Sequence, residues 1–389
     1  MSSSGNTRKR PKNQYRPWLQ FFVRLFVVAA VLLSIFLIWN NWDRIAPEAV
    51  LDWAEARFGD AEIGNGFPTS FEGNTVKAMG EVNQHFILLT DTSLQFYNSS
   101  ASRVITRPHS FSTPTLHTAG RYALITDVGS NRFRLDSRRE TALSMELENG
   151  RIYASCLLPS GMVGIVTDST SQSYLCQIRV FNRSGKEIFT YQSRKYLITN
   201  LSLAANGKGI AAVGTTAEGG MLKSVLLIFN FSDVEPIEFS GSDLLLYEVN
   251  YFSNGTVLAV GDKEMWILPA RAKDVKKTSF NGFEPVGYSA TQTVSGIILQ
   301  RSGSTGDGYV WMVNGDGSVW ESEQLDGNFR SASARMSRLA VLTDTHLYMF
   351  SRAGQESKVE TPSDALLAAE YRDAPLLLTL SELRRVGSP

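Results

Sequence analysis

An apolar run of five or six residues, closed by Thr-Asp or a worn version of it, recurs eight times along this chain. The copies close at Thr90, Thr126, Thr167, Gly214, Gly261, Arg301, Thr343 and Thr379, at intervals of 36, 41, 47, 47, 40, 42 and 36 residues. A period near forty, filled with short strands and turn residues, predicts a β-propeller with one four-stranded blade per repeat. Helical repeats of similar length need apolar residues at i, i+3, i+4 and i+7. Segments such as LLTDTSLQFYN and SVLLIFNFSD alternate strand runs with turn residues instead.

Each copy carries further matching parts. After the next strand comes a polar turn: Tyr97-Asn98, Leu135-Asp136, Phe181-Asn182, Phe229-Asn230 and Val313-Asn314. Asn and Asp suit that place because they tolerate left-handed backbone and hydrogen-bond the turn. Before each apolar run lies a stretch of small residues, among them Ala78-Met79-Gly80, Ala154-Ser155, Ser202-Leu203-Ala204, Ser331-Ala332-Ser333 and Ala368-Ala369. Small side chains fit the axis, where the first strands of the blades converge. The middle strands, covered on both faces, should read as continuous apolar runs, as Val225 to Phe229 does.

The last copy runs out at Pro389 with no room for a fourth strand, and the missing strand is found at the other end. Thr69 to Gly73 (TSFEG) echoes Thr278 to Gly282 (TSFNG), which ends an internal blade. Phe67 to Phe71 is therefore expected to complete the final blade and leave no open edge at the closure. The reading is an all-β, eight-bladed propeller over 67–389, with seven blades as the alternative.

The rest of the chain consists of attachments. Residues 1–17 form a basic tail without apolar pattern. Residues 1–24 hold six of the 38 Lys and Arg and no acid, so the remainder carries 32 basic against 38 acidic residues and offers no nucleic-acid-binding face. Residues 18–40 are apolar from Leu25 to Trp39 apart from Ser34, with Trp18, Trp39 and Trp42 at the ends. Trp18 to Trp39 would span about 33 Å as a helix, the thickness of a bilayer core. The positive tail places the N-terminus in the cytoplasm and the propeller outside the cell membrane. A cleaved signal peptide is the rival reading. Residues 41–66 read as a juxtamembrane stalk, with a short helix over Pro47 to Phe58, a spacer or a dimerising element.

No residue constellation names a reaction. The Thr-Asp pairs at 90–91, 126–127, 167–168 and 343–344 sit at one place in each repeat, which fits Asp capping a turn better than catalysis. His85, His109, His117 and His346 lack metal-ligand spacing, and Asn314 to Ser318 (NGDGS) lacks the acids of a calcium loop. Cys156 and Cys176 fall on the first and third strands of one blade, about 9–10 Å apart and beyond disulfide reach. Five Asn-x-Ser/Thr sequons occur, at Asn98, Asn182, Asn200, Asn230 and Asn254, three of them on the turn column. Neither a cofactor nor a metal site is expected.

The phrase Ser184 to Phe189 (SGKEIF), following Phe181-Asn182, resembles the blade-docking motif of quinoprotein-like and outer-membrane-assembly propellers, with Phe189 in place of its tryptophan. Over its whole length, basic tail, apolar helix and divergent propeller, the chain is similar to a bacterial family of unknown function, domain-of-unknown-function family 5711. That resemblance implies no activity. The expected function is a membrane-tethered scaffold that binds a protein or an envelope polymer. The alternative is a carbohydrate-active enzyme with two carboxylates at the channel mouth, and a small-molecule sensor is a third.

Overall fold

The computed structural model describes residues 17–40, 64–70, 75–301, 303, 306 and 308–387. Two compact units divide the chain, Met1–Leu51 and Asp52–Pro389. The first contains a helix, Pro17–Asn40. Among the described residues no helix is long and apolar enough to cross a membrane. The expected basic tail, the stalk helix over 47–58, and Phe71 to Gly73 lie outside the described residues.

The second unit is a ring of eight four-stranded antiparallel sheets. The inner strands of blades 1 to 8 are Val76–Val82, Pro114–Ala119, Ile152–Leu157, Leu197–Leu203, Leu246–Tyr251, Phe283–Ala290, Phe329–Arg335 and Leu367–Ala369. Seven blades take their four strands consecutively from the sequence. The eighth takes three strands from the C-terminal end, and its outer strand is Thr69–Ser70, paired as Thr69 with Leu383 and Ser70 with Glu382. Eight blades and donated closure stand as expected, and the seven-bladed alternative falls.

Burial follows from the pattern of each run. The second strands His85–Thr90 and Tyr122–Asp127 are buried at every residue, because each is covered by a neighbouring blade on both faces. Alternate side chains of a strand point to opposite neighbours. Phe86 and Leu88 pack on blade 8, whereas Ile87 and Leu89 pack on blade 2. The core is accordingly eight apolar clusters, one at each blade-to-blade interface. Phe189 stacks on Phe231 of blade 4 at 4.5 Å between ring centroids and meets Phe229 edge-on. It therefore docks one blade on the next, the part its motif suggested.

One register differs from the sequence alignment. In blades 1, 3, 4, 5 and 7 a bulge in the inner strand lies opposite the closing residue of the apolar run, as where Val76 faces Thr90 and Ala78 faces Leu89. In blade 6 the bulge faces Leu299 and Ile298. Leu299, not Arg301, is thus the equivalent of Thr90, and this second strand runs two residues further. Blade 4 departs more: its second and third strands continue as a paired ribbon to Glu218 and Met221, beyond the position where the other blades turn.

Candidate functional site

Inner strands all begin on one face of the ring, here the upper face, which also carries the hairpins between second and third strands. The lower face carries the hairpins between first and second strands and between third and outer strands. The chain arrives at its closing strand on the lower face. There the Gly64 N–H donates to Ser100 Oγ and the Gly66 N–H to Ser100 O, both at 3.0 Å, in a hairpin between third and outer strands.

Of the repeated carboxylates of the upper face, Asp127, Asp168 and Asp344 are committed to the backbone, whereas Asp91 stands exposed. Asp127 accepts from the N–H groups of Ser112 and Thr113, both at 2.9 Å, just before the inner strand of its blade, and from Arg132 Nη2 at 2.9 Å. Asp344 does the same with Asn328 N–H, and Asp168 with Arg151 N–H and Nε. Asp262, the worn copy in blade 5, holds Leu245 N–H at 2.8 Å. Each carboxylate latches the start of the first strand to the end of the second. The turn itself is capped by the threonine: Thr90 Oγ1 accepts from Ser93 N–H at 2.9 Å, and Thr343 Oγ1 from His346 N–H at 3.0 Å. The expected structural role is present, but the two residues divide it, and Asp reaches across the sheet. Burial pushes the Asp127 carboxyl up, yet the bonds from Thr113, Arg132 and Ser112 outweigh it and leave the group below the usual carboxylate range.

The small residues of the inner strands serve for more than size. An innermost strand has one unpaired edge, whose N–H groups would be orphaned in a narrow channel. Ser202 of blade 4 accepts Tyr251 N–H of blade 5 at 3.0 Å, and Ser289 of blade 6 accepts Ala334 N–H of blade 7 at 2.8 Å. Ser331 and Ser333 of blade 7 take Ala368 and Glu370 N–H of blade 8. Cys156 occupies the same column in blade 3, and its sulfur meets Leu203 N–H of blade 4, while burial pushes the thiol up to about 12. Both cysteines are free thiols. Of the histidines, His85 is buried with Nδ1 at 3.1 Å from Asn83 O, and His109 Nε2 lies 3.1 Å from Thr90 O. His346 Nδ1 lies against Thr345, and His117 stands exposed on the inner strand of blade 2. Among the described residues no group of three His, Cys, Asp or Glu side chains is placed to hold a metal ion. The NGDGS stretch is a hairpin turn with Ser318 N–H on Asp316 Oδ1 and Gly317 in the left-handed region.

One axial carboxyl is not absorbed in this scheme. Glu248, the residue after the bulge in blade 5, lies where blades 4, 5 and 6 meet. Asn200 of blade 4 donates through Nδ2 to Glu248 Oε2 at 2.8 Å and to Tyr247 O at 3.1 Å. Asn200 was singled out as a sequon; its amide instead ties two blades together. On the far side Tyr288 OH donates to Ser295 Oγ at 3.3 Å, and Asn250 Nδ2 reaches the same oxygen at 3.0 Å. Burial raises the Glu248 carboxyl to about 7, opposed only by the Asn200 bond. Burial raises the Tyr247 and Tyr288 hydroxyls too, and the Glu248 charge adds to both. The lone glutamate in LYEVNY gave no sequence signal, because its environment is made by two other blades.

This shift carries a stability prediction. A carboxyl raised on folding stabilises most when protonated, so its contribution is full at acid pH. It declines as pH rises from about 4.5 to about 7. Glu248→Gln is expected to match the native chain at pH 4. Above pH 7 it should be more stable by about 2 kcal/mol, allowing for solvent in the channel. Urea midpoints across that range measure the gap.

The upper face also exposes large apolar side chains on four consecutive blades. Tyr153 and Val286 stand at inner-strand bulges of blades 3 and 6, Leu197 and Leu245 at the starts of blades 4 and 5, and Met221 and Leu222 on the blade 4 ribbon. Met221 is 60% and Leu222 45% exposed. The lower face of blade 3 has a shallow, open depression of about 330 Å³ lined by Ser160, Met162, Asn182, Arg183 and Ser184, which gathers no carboxylate or imidazole.

Ring, donated closure and backbone-committed acids define a divergent eight-bladed β-propeller. The chain belongs to the family of unknown function DUF5711, which matches residues 56–368. No curated protein matches the sequence. Among solved structures it is similar to BamB from Moraxella catarrhalis, at 12% identity and a TM-score of 0.51 over 82% of this chain and 99% of that one. It is also similar to the C-terminal WD40 domain of Sif2, at 10% identity and a TM-score of 0.58 over 83% and 99% of the two chains. At such identities the likeness is one of fold alone.

Proposed function

We propose that this chain is a membrane-anchored, extracytoplasmic scaffold that binds a protein partner through the upper face of blades 3 to 6. The observation that carries the reading is the run of exposed apolar side chains there, from Tyr153 to Val286, on blades whose repeated acids Asp168 and Asp262 are engaged by backbone N–H groups. Exposed apolar patches on rigid scaffolds are recognition surfaces. The anchor rests on the sequence alone, on the apolar run from Leu25 to Trp39 and the basic charge before it.

A photo-cross-linking residue at position 222, with a matched one at Met336 on the lower face, tests the reading in intact cells. The expected result is one discrete protein adduct from position 222, abolished by Met221→Asp and absent from position 336. Adducts from both faces alike, or from neither, overturn it. A ladder that collapses on glycosidase treatment assigns the surface to an envelope polymer instead. A carbohydrate-active enzyme would need a second carboxylate acting with Glu248, and burial and Asn200 alone account for that group's shift.

A further inference from the structure

We propose that Asn281 is a site of spontaneous covalent modification, where its side-chain amide is lost to attack by the Gly282 backbone nitrogen and a carboxylate is left on the upper face. The chemistry belongs to Asn-Gly pairs, since glycine puts no Cβ in the way of the attacking nitrogen. Six such pairs occur, at Asn65, Asn149, Asn206, Asn254, Asn281 and Asn314. Their surroundings separate them. In four the glycine N–H is already committed: Gly66 to Ser100 O at 3.0 Å, Gly207 to Ala204 O at 2.8 Å, Gly255 to Phe252 O at 3.0 Å and Gly315 to Thr293 O at 3.2 Å. Three of those asparagine amides are held as well, Asn206 by Lys208 N–H, Asn254 by Gly315 O and Asn314 by Ser318 Oγ. Of the remaining two, Asn149 precedes a crowded glycine: a Cβ on Gly150 would stand 2.9 Å from Thr167. Asn281 and Gly282 are both exposed, and the space around Gly282 is open. Among the described residues neither the Asn281 side-chain amide nor the Gly282 N–H has a hydrogen-bond partner.

The pair forms the middle of the turn between the outer strand of blade 5, Lys276–Ser279, and the inner strand of blade 6. Both residues are left-handed, with φ of 54° at Asn281 and 85° at Gly282. The flanks are anchored. Phe280 is buried with its N–H on Lys263 O at 2.9 Å, and the Phe283 N–H closes the turn on Phe280 O at 3.1 Å. Rotating the Asn281–Gly282 linkage into the attacking geometry therefore costs at most that one turn bond and opens no strand pair. Hydroxide removes the Gly282 amide proton, and the nitrogen bonds to Asn281 Cγ. The Cγ–Nδ2 bond breaks, and the nitrogen leaves as ammonia after taking a proton from water. A second water opens the five-membered imide at either carbonyl. The product is aspartate, or its isomer with the main chain routed through the side-chain carbon, and both carry a charge that asparagine lacks. That charge arises at the entrance to the strand that bears Val286. The reaction itself needs no partner and stands whatever the upper face binds.

Incubation of the full chain at pH 9, followed by peptide mapping in a mass spectrometer, tests the assignment. Asn281 is expected to convert first, with Asn149 behind it. It should run about tenfold ahead of the four pairs whose glycine N–H must first give up a hydrogen bond. In concentrated urea, where neither those bonds nor the crowding at Gly150 survive, the six pairs should converge. Asn281→Gln would have to close a six-membered ring and is expected to lose the early acidic species on ion exchange. An unmodified Asn281, another pair ahead of it, or the same lead kept in urea each overturns the proposal. Early acidic species persisting in Asn281→Gln overturn it as well.

Discussion

Arg335→Ala is expected to destabilise the ring by about 3 kcal/mol, through the loss of a largely enclosed ion pair that leaves its acids unbalanced. Arg335 ends the inner strand of blade 7, and its guanidinium reaches past the short inner strand of blade 8. It engages both oxygens of Glu81 on blade 1, with Nη2 to Oε1 at 3.0 Å. Its Nη1 also donates to Arg372 O, and Arg372 and Tyr371 in turn donate to Gln84 O on blade 1. Beneath this bridge lies Glu370, whose side chain is fully enclosed, 3.7 Å from Arg338 Nε. Burial raises the Glu370 carboxyl, and Arg338 and Arg335 hold it down. Removing Arg335 therefore strands one carboxylate and raises the other further. The loss should be largest above neutral pH and shrink on acidification, as Glu370 takes up its proton. Urea denaturation at pH 8 and pH 5 measures both parts. A change below about 0.5 kcal/mol at pH 8 would show the bridge to be ornamental.

Asp127→Ala should cost about 2 kcal/mol, for a different reason. The Asp127 side chain is 1% exposed and accepts two backbone N–H groups and one guanidinium. Alanine leaves the Ser112 and Thr113 N–H groups without their acceptor and Arg132 with only Ser110. Asp127→Asn keeps one acceptor oxygen and is expected to recover about 1 kcal/mol. The carboxyl is depressed, so its contribution is complete above about pH 4 and is lost as pH falls through the folded value. The gap between native and variant chains should accordingly close in acid. Hydrogen exchange at Ser112 and Thr113 reads the local effect, since theirs are the backbone N–H groups released.

Much of the ring could be read before any coordinate was known, because propeller blades repeat one chemical phrase. The apolar second strands, the Asn turns and the echo of Thr278 to Gly282 at Thr69 each came from residues whose neighbours lie close in sequence or recur at the period. What escaped depends on contacts between blades. Ser202 and Ser333 read as small residues for a crowded axis, and their hydroxyls acquire meaning only beside the free edge of the next blade. Asp344 looked like a cap for its own turn, but its partner Asn328 lies sixteen residues earlier, across the sheet. The blade 6 register slipped by two because the alignment followed Arg301, whereas the bulge at Pro285 and Gly287 sets the pairing. Glu248 was invisible for the same reason: its carboxyl is raised by burial, and its one hydrogen-bond partner, Asn200, lies in another repeat.

The closing strand has a mechanical consequence. The incoming segment is first stitched to blade 1 through Ser100 and only then joins blade 8 through Thr69 and Ser70. Tension on the leader is thus shared across the seam by a handful of backbone bonds, while every other blade stays out of the line of load. Under force the ring would part there first, like a clasp, with blade 8 giving up only its outer strand while the other seven sheets keep their pairing.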